Sequence, residues 1–375
     1  MASISNIDFP PDIRSLTNEE LTRALASVDE KKFRVQQIYQ WIWKLGSTTF
    51  DDMLNIPGPT REFLKTHFSF HSAKAEIQQK GSDGTVKTGF RLYDGSVIEG
   101  VLIPAGGRFT ACISSQVGCN LGCKFCATGR LGFTRNLTTG EIFDQVVYLS
   151  RLAGTIQRSE PESRAGSVVS HPEPGIGRLL SNIVYMGMGE PFLNYEAVKK
   201  SIETITSAES LGMSPQRITV SSIGIPKMIR TMADDRPKYH FALSLHAAND
   251  KKRSRIIPFN LHHPLPEIIE ALKYYHTKTG KRITIEYILF AGVNDSPADA
   301  SELALFCRNF PVKINLIEYN AVNETGFSGS SQEAILSFVT FLERRNLVVN
   351  VRKSRGKDIQ AACGQLSANY KNVNK

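Results

Sequence analysis

From Phe109 onward the chain repeats one unit: a short apolar run, a turn, then an amphipathic stretch. The strand signals fall at 109–114, 182–186, 217–222, 241–246, 283–290 and 313–319, with helical spacing between them. One intervening helix is opened by Thr138 and Glu141 as a capping box. Antiparallel strands need only a tight turn, whereas parallel strands need a crossover long enough to return the chain to the same end of the sheet. Serial strand–helix alternation therefore predicts an α/β fold built on a parallel sheet, and six units in series predict a partial (β/α)6 barrel. Ligands gather at the carboxyl ends of strands in such folds, so residues there are the first candidates for function.

Around this repeat the pattern changes. Before about Ser69 the spacing is helical, with Asn18 expected as a cap, Leu21 and Leu25 on one helix, and Phe33, Ile38, Ile42 and Trp43 on another. Residues 1–72 are expected to form a small helical accessory domain. Residues 73–108 switch to strand-like alternation with turns at Ser82-Asp83-Gly84 and Asp94-Gly95, the pattern of a β-hairpin extension. The barrel is assigned to 109–347. Within it, 154–177 holds Pro161, Pro172 and Pro174 with little periodicity and is expected to be a flexible insertion. A last strand, Val348 to Val351, opens the C-terminal segment 348–375, which carries Cys363.

No stretch approaches the length of a membrane span, and the first thirty residues lack a signal-peptide pattern, so a cytoplasmic protein is expected. Six cysteines in 375 residues are too few for a disulfide scaffold, which turns attention to metal binding or catalysis. Cys119, Cys123 and Cys126 form C-x3-C-x2-C just after the first barrel strand. Three thiolates on one tight loop can each hold an iron of a cubane [4Fe-4S] cluster, leaving the fourth iron open to a chelating small molecule. The alternative is a zinc site with Cys112 as fourth ligand. Structural zinc usually uses two paired C-x2-4-C units, which this chain lacks.

The loop, with Phe125 before its last cysteine, resembles that of the radical S-adenosylmethionine (SAM) superfamily. Four further motifs sharpen the likeness: Cys112-Ile-Ser-Ser-Gln-Val-Gly118, Met186-Gly-Met-Gly-Glu-Pro191, Ala242-Leu-Ser-Leu-His-Ala247, and the run from Gly356 through Cys363 to Leu366. Together they resemble the adenine-C2 RNA methyltransferases of the RlmN family, from the helical N-terminus to Leu366. The resemblance implies one [4Fe-4S] cluster on Cys119, Cys123 and Cys126, and SAM held by Gly189, Glu190, Ser221, Ser244, Leu245, His246 and Asn320. It also implies the reaction. Cys363 takes a methyl group from one SAM, a radical made from a second SAM removes hydrogen from that group, and the resulting carbon radical attacks adenine. Cys112 then attacks the sulfur of Cys363, leaving a disulfide, and Glu99 serves as the proposed base. Carbon 2 of adenine is electrophilic, so ordinary transfer of an electrophilic methyl group is mismatched and cofactor-derived radical chemistry is required.

The implied substrates are a peptidyl-transferase-centre adenosine of 23S rRNA and the tRNA adenosine 3′ to the anticodon. The implied electron donor is external, such as flavodoxin or ferredoxin, and the expected state is monomeric. A formal charge of +9 suits a polyanionic partner. Two basic runs, Lys251 to Arg255 and Arg352 to Lys357, are expected near the barrel mouth; either could instead be a solvated face. Ser222 is read as a satisfied strand-end hydroxyl and Cys307 as a buried mid-helix residue. Two rivals stand: methylation at carbon 8 of the same adenine, and a non-enzymatic iron–sulfur protein that binds RNA or senses redox state.

Overall fold

The structure, a computed structural model, describes residues 10–159, 179–322 and 325–368. The N-terminal helices are α1 (Asn18–Ala26), α2 (Phe33–Tyr39), which runs on through a π turn at Gln40–Lys44, and α3 (Gly58–His67). Thr17, rather than Asn18, caps α1: its hydroxyl accepts from the Glu20 amide while the Glu20 carboxylate accepts from the Thr17 amide. Asn18 is already the first helical residue. The reciprocal pair satisfies two free amides, where Asn18 as cap would have no glutamate three positions on.

Four antiparallel strands follow, β1 (Lys74–Lys80), β2 (Val86–Arg91), β3 (Val97–Ala105) and β4 (Arg108–Cys112). A short hairpin, β5 (Gln116–Cys119) with β6 (Gly132–Asn136), leads into α4 (Thr139–Ser159). Thr138 and Glu141 cap α4 as the spacing predicts. That helix takes in residues 154–159 of the expected insertion, and residues 160–177 lie outside the described residues.

The chain then alternates through β7 (Asn182–Tyr185), α5 (Tyr195–Thr206), β8 (Ile218–Ser222), α6 (Pro226–Asp234), β9 (His240–Ser244), α7 (Asp250–Ile256), α8 (Leu265–Thr279), β10 (Ile283–Leu289), α9 (Pro297–Phe306), β11 (Val312–Glu318), α10 (Gln332–Glu343) and β12 (Val349–Arg352). Strands β4 and β7 to β12 are all mutually parallel and pair in chain order, so the sheet is the expected α/β partial barrel with β12 as an additional, seventh parallel strand. The β1–β3 extension continues the same sheet through β3–β4 pairing. Strand β10 is buried along its whole length, the signature of a strand covered on both faces. Cys307 stands at the C-terminal cap of α9 rather than inside it, and is buried.

Two sets of contacts tie the flanking segments to the barrel. The N-terminal helices are fastened to α4 by the buried Arg14, whose guanidinium bonds Asp12 and, at 2.7 Å, Asp144. Trp43 meets Phe143 edge-on at 5.1 Å beside them. Across the opening between the two ends of the sheet, the segment after β12 is tied to the β1–β2 turn: the Gly356 amide donates to Asp83 and the Ser82 amide to Asp358.

Candidate functional site

The carboxyl ends of the parallel strands surround one cavity. Its walls include Cys112, Cys119, Cys123, Cys126, Gly189, Glu190, Ser221, Ser244, His246 and Cys363. Five cysteines separated widely in sequence thus face a single space.

The cluster-loop cysteines are presented by the β5–β6 hairpin. Gly118 at φ +74° makes that possible, because a Cβ there would stand 1.9 Å from the Gly132 carbonyl oxygen. The loop is fixed at three points. The Lys124 amide donates to the Ile256 carbonyl, the Ala127 amide to Gly364, and the Thr128 hydroxyl to Leu366. Burial pushes the Cys119 thiol up to about 12 and raises Cys123 and Cys126 as well; Cys126 adds to the rise at Cys119, and both add to it at Cys123. Buried thiols that resist ionisation without a cation are the donors a metal centre converts to thiolates. No three His, Cys, Asp or Glu groups among the described residues converge on one ion position. Three cysteines on one loop, lining one cavity, are the donor set of a [4Fe-4S] cluster, and the residues present fit it.

Glu190 is held at the end of β7 by Gly189, whose φ of +101° brings its backbone so close to Gln116 that a Cβ would lie 2.5 Å from that side chain. The Glu190 amide donates to the Gln116 side chain, and its carboxyl oxygens accept from the Phe192 and Ile223 amides. Burial raises this carboxyl to about 7, against the opposing hydrogen bond from Ser222. Ser222 also accepts from the Gly224 amide and so is satisfied as expected. The Ser221 and Ser244 hydroxyls pair at 3.0 Å on the rim.

His246 is fully buried, and its Nδ1 accepts from the Ile288 amide, which places the proton of the neutral ring on Nε2. Burial and the nearby Arg253 cation lower its pKa to about 3, so it works only as a neutral imidazole. Phe125 packs edge-on against it at 4.9 Å. Leu245 contributes backbone only: its amide donates to Glu286 and its carbonyl accepts from Arg253. Asn320 stands behind the rim, where its amide group donates to the Cys363 carbonyl at 3.4 Å.

Cys363, on the C-terminal segment, acts on the ionisation of Cys112, at the end of β4. Burial drives Cys112 up to about 12, Cys363 is raised as well although its surface is exposed, and Arg352 opposes the rise at both. Glu99 is not part of the cavity wall. It is buried on β3, where Lys87 lies 3.3 Å from one oxygen and the Ser367 and Ala368 amides donate to the other.

The two basic runs differ in their surroundings. Arg253 is buried and bonds the carbonyls of Leu245, Ser244 and Ile223 and the side chain of Asn260, and Lys252 pairs with Asp299 at 2.6 Å. These two are braces, not an RNA face. Arg352, Lys353, Ser354 and Arg355 do line the cavity. Sequence reasoning missed Glu286, buried in β10 and facing the same space. The available signal was a lone acid inside the otherwise apolar-rich Ile283–Leu289 run.

Comparison with known proteins agrees with this geometry. Residues 12–69 match the family model described as the ribosomal RNA large subunit methyltransferase N-terminal domain. A probable dual-specificity RNA methyltransferase RlmN from Flavobacterium johnsoniae is 47% identical, over 95% of this chain and 97% of its own. The Anaeromyxobacter dehalogenans dual-specificity RNA methyltransferase RlmN is 39% identical, over 96% and 93%. A crystal structure of a radical SAM methyltransferase from Sphaerobacter thermophilus superposes with a TM-score of 0.86 at 40% identity, covering 96% of this chain and all of that one.

Proposed function

The chain belongs to the RlmN family of radical-SAM RNA methyltransferases, and from that premise we propose that it methylates carbon 2 of adenine by way of an S-methyl group on Cys363. The family implies a [4Fe-4S] cluster and SAM. When bound, they supply the electron and the carbon radical that ordinary side chains cannot. The observation that carries the reading is that Cys112 and Cys363 share a cavity with the three loop cysteines, since radical formation alone requires neither.

Each residue then has a duty. Cys119, Cys123 and Cys126 hold the cluster. Glu190, at the end of β7, accepts from the ammonium of SAM, a charge-assisted bond that favours its ionised form. Ser221, Ser244 and neutral His246 line the rest of the SAM pocket, with Gly189, Leu245 and Asn320 supporting it through backbone and cap contacts. Cys363 receives the methyl group on Sγ and gives up its thiol proton. Once that carbon is joined to adenine, the adduct's unpaired electron must leave, to an acceptor that the cluster, oxidised in making the radical, would supply; the Cys112 thiolate then attacks Sγ of Cys363, the S–S bond forms, the S–C bond breaks, and the electron pair goes to the carbon, which takes up a proton. The C2 proton must also leave. Glu99 matches the family's proposed base and is the group we assign to that proton; its carboxylate accepts from the Ser367 and Ala368 amides.

The substrates we propose are the 23S rRNA and tRNA adenosines, with flavodoxin or ferredoxin as donor. The decisive experiment is anaerobic reconstitution with SAM, reductant and unmodified RNA, using the native chain and Cys112→Ala. Native protein is expected to yield 2-methyladenosine, and Cys112→Ala a covalent RNA adduct at Cys363. Free unmodified RNA from Cys112→Ala, or 8-methyladenosine as the main native product, would defeat the assignment.

A further inference from the structure

One carboxyl oxygen in the cavity wall lacks a partner. Glu286 is 3% exposed, and it pairs in register with Ser244 of β9 on one side and Asn315 of β11 on the other. Its Oε1 accepts from the Asn315 amide group at 2.8 Å, and the half-exposed Arg352 guanidinium lies 3.8 Å away. Its Oε2 is buried and has no hydrogen-bond partner among the described residues. Buried polar atoms are nearly always paired, and an acid in the middle of an apolar strand destabilises the fold unless something completes it. The carboxyl lines the cavity, so the missing partner is a ligand.

The chemistry narrows which ligand. Burial favours the neutral acid, against the pull of Arg352 and Asn315. A carboxyl held at Oε1 by a donor and binding in its protonated form presents an O–H through Oε2 and keeps a lone pair on Oε1. Adenine carries the matching pair along one edge: the ring nitrogen N1 accepts and the 6-amino group donates. Glu286 and Cys363 line the same cavity. In the purine ring C2 is bonded to N1. A grip on the N1/6-amino edge therefore turns C2 toward its neighbours, whereas a grip on the N7/6-amino edge would turn C8.

We propose that Glu286 is the adenine-binding residue of the target site, pairing with the N1/6-amino edge of the flipped base and so presenting C2 to Cys363. The proposal rests on the C2-methyltransferase reading and adds what orients the base. It also gives the buried acid a reason to remain in β10.

The test uses reconstituted holoenzyme, native and with Glu286→Leu or Glu286→Gln, on RNA fragments carrying adenine, purine (no 6-amino group) or 7-deazaadenine at the target. Methylation of Cys363 without RNA, followed by mass spectrometry, reports folding and SAM binding separately. Glu286→Leu is expected to lower adenine methylation by about tenfold to a hundredfold while Cys363 methylation stays unchanged. Glu286→Gln should stay within about threefold of native, because its amide offers the same donor and acceptor. Purine should slow native and Gln enzymes but impose no further loss on Leu, and 7-deazaadenine should be tolerated by all three. The proposal fails where Gln is as damaging as Leu, where the purine and Leu losses multiply, or where Cys363 methylation falls in step with the RNA reaction. A native enzyme that makes 8-methyladenosine overturns the functional reading along with it; multiplying losses with 2-methyladenosine formed overturn this inference alone.

Discussion

Two stretches of the chain look alike as text: Lys251-Lys252-Arg253-Ser254-Arg255 and Arg352-Lys353-Ser354-Arg355-Gly356-Lys357. Both are basic, and both follow a strand of the parallel sheet. In the fold they do opposite work. The first forms α7, and its central arginine turns inward to collect carbonyl oxygens from the ends of β8 and β9. The second rims the cavity and brings one cation to two thiols. Composition and position along the chain cannot separate them. What separates them is where the backbone turns each side chain, and that depends on packing partners distant in sequence.

The contrast can be broken in three ways. The largest expected effect is at Arg253. Arg253→Met leaves the carbonyls of Leu245, Ser244 and Ile223 and the Asn260 amide without their donor, and should cost about 3–5 kcal/mol in chemical denaturation. A loss below about 1 kcal/mol would mean that α7 is not a brace.

Arg352→Ala should leave stability within about 0.5 kcal/mol, because the side chain is 44% exposed, yet slow the thiol chemistry. Cys112, buried and pushed up to about 12, is neutral at pH 7, so the rate of the step that uses its thiolate rises with pH by about tenfold per unit. Removing the cation raises both thiols further and moves this profile to higher pH, with about a tenfold loss at fixed pH. The check is the pH dependence of release of the RNA adduct; superimposable profiles for the two proteins would remove Arg352 from the mechanism.

The smallest effect concerns RNA affinity. Lys353→Ala should flatten the salt dependence of binding by about 0.7–0.9 in the log–log slope, and Lys252→Ala, whose amine already pairs with Asp299, should leave it unchanged. Equal slopes for the two runs would erase the distinction.

Much of the molecule was legible because its signals are local. Strand–helix alternation gave the parallel order, and the cysteine spacing gave the loop that holds three thiols. The α1 cap was misplaced by one residue although the decisive sign was present, a glutamate three positions after Thr17. Other features are written in no local pattern. That Arg253 points inward, that Glu99 is engaged by Ser367 and Ala368, and that Glu286 has a free oxygen all follow from segments brought together only by the closed mouth of the barrel.

The bonds from Ala127 and Thr128 to Gly364 and Leu366 have a consequence in the time order of synthesis. A ribosome builds the loop of Cys119, Cys123 and Cys126 long before it reaches Cys363, so the part that makes a radical precedes the part that receives one. The loop obtains its last two anchors only when the segment bearing the acceptor thiol arrives. A partly made chain therefore lacks both the anchored loop and the sulfur that gives its chemistry a destination, and the two are completed in one event.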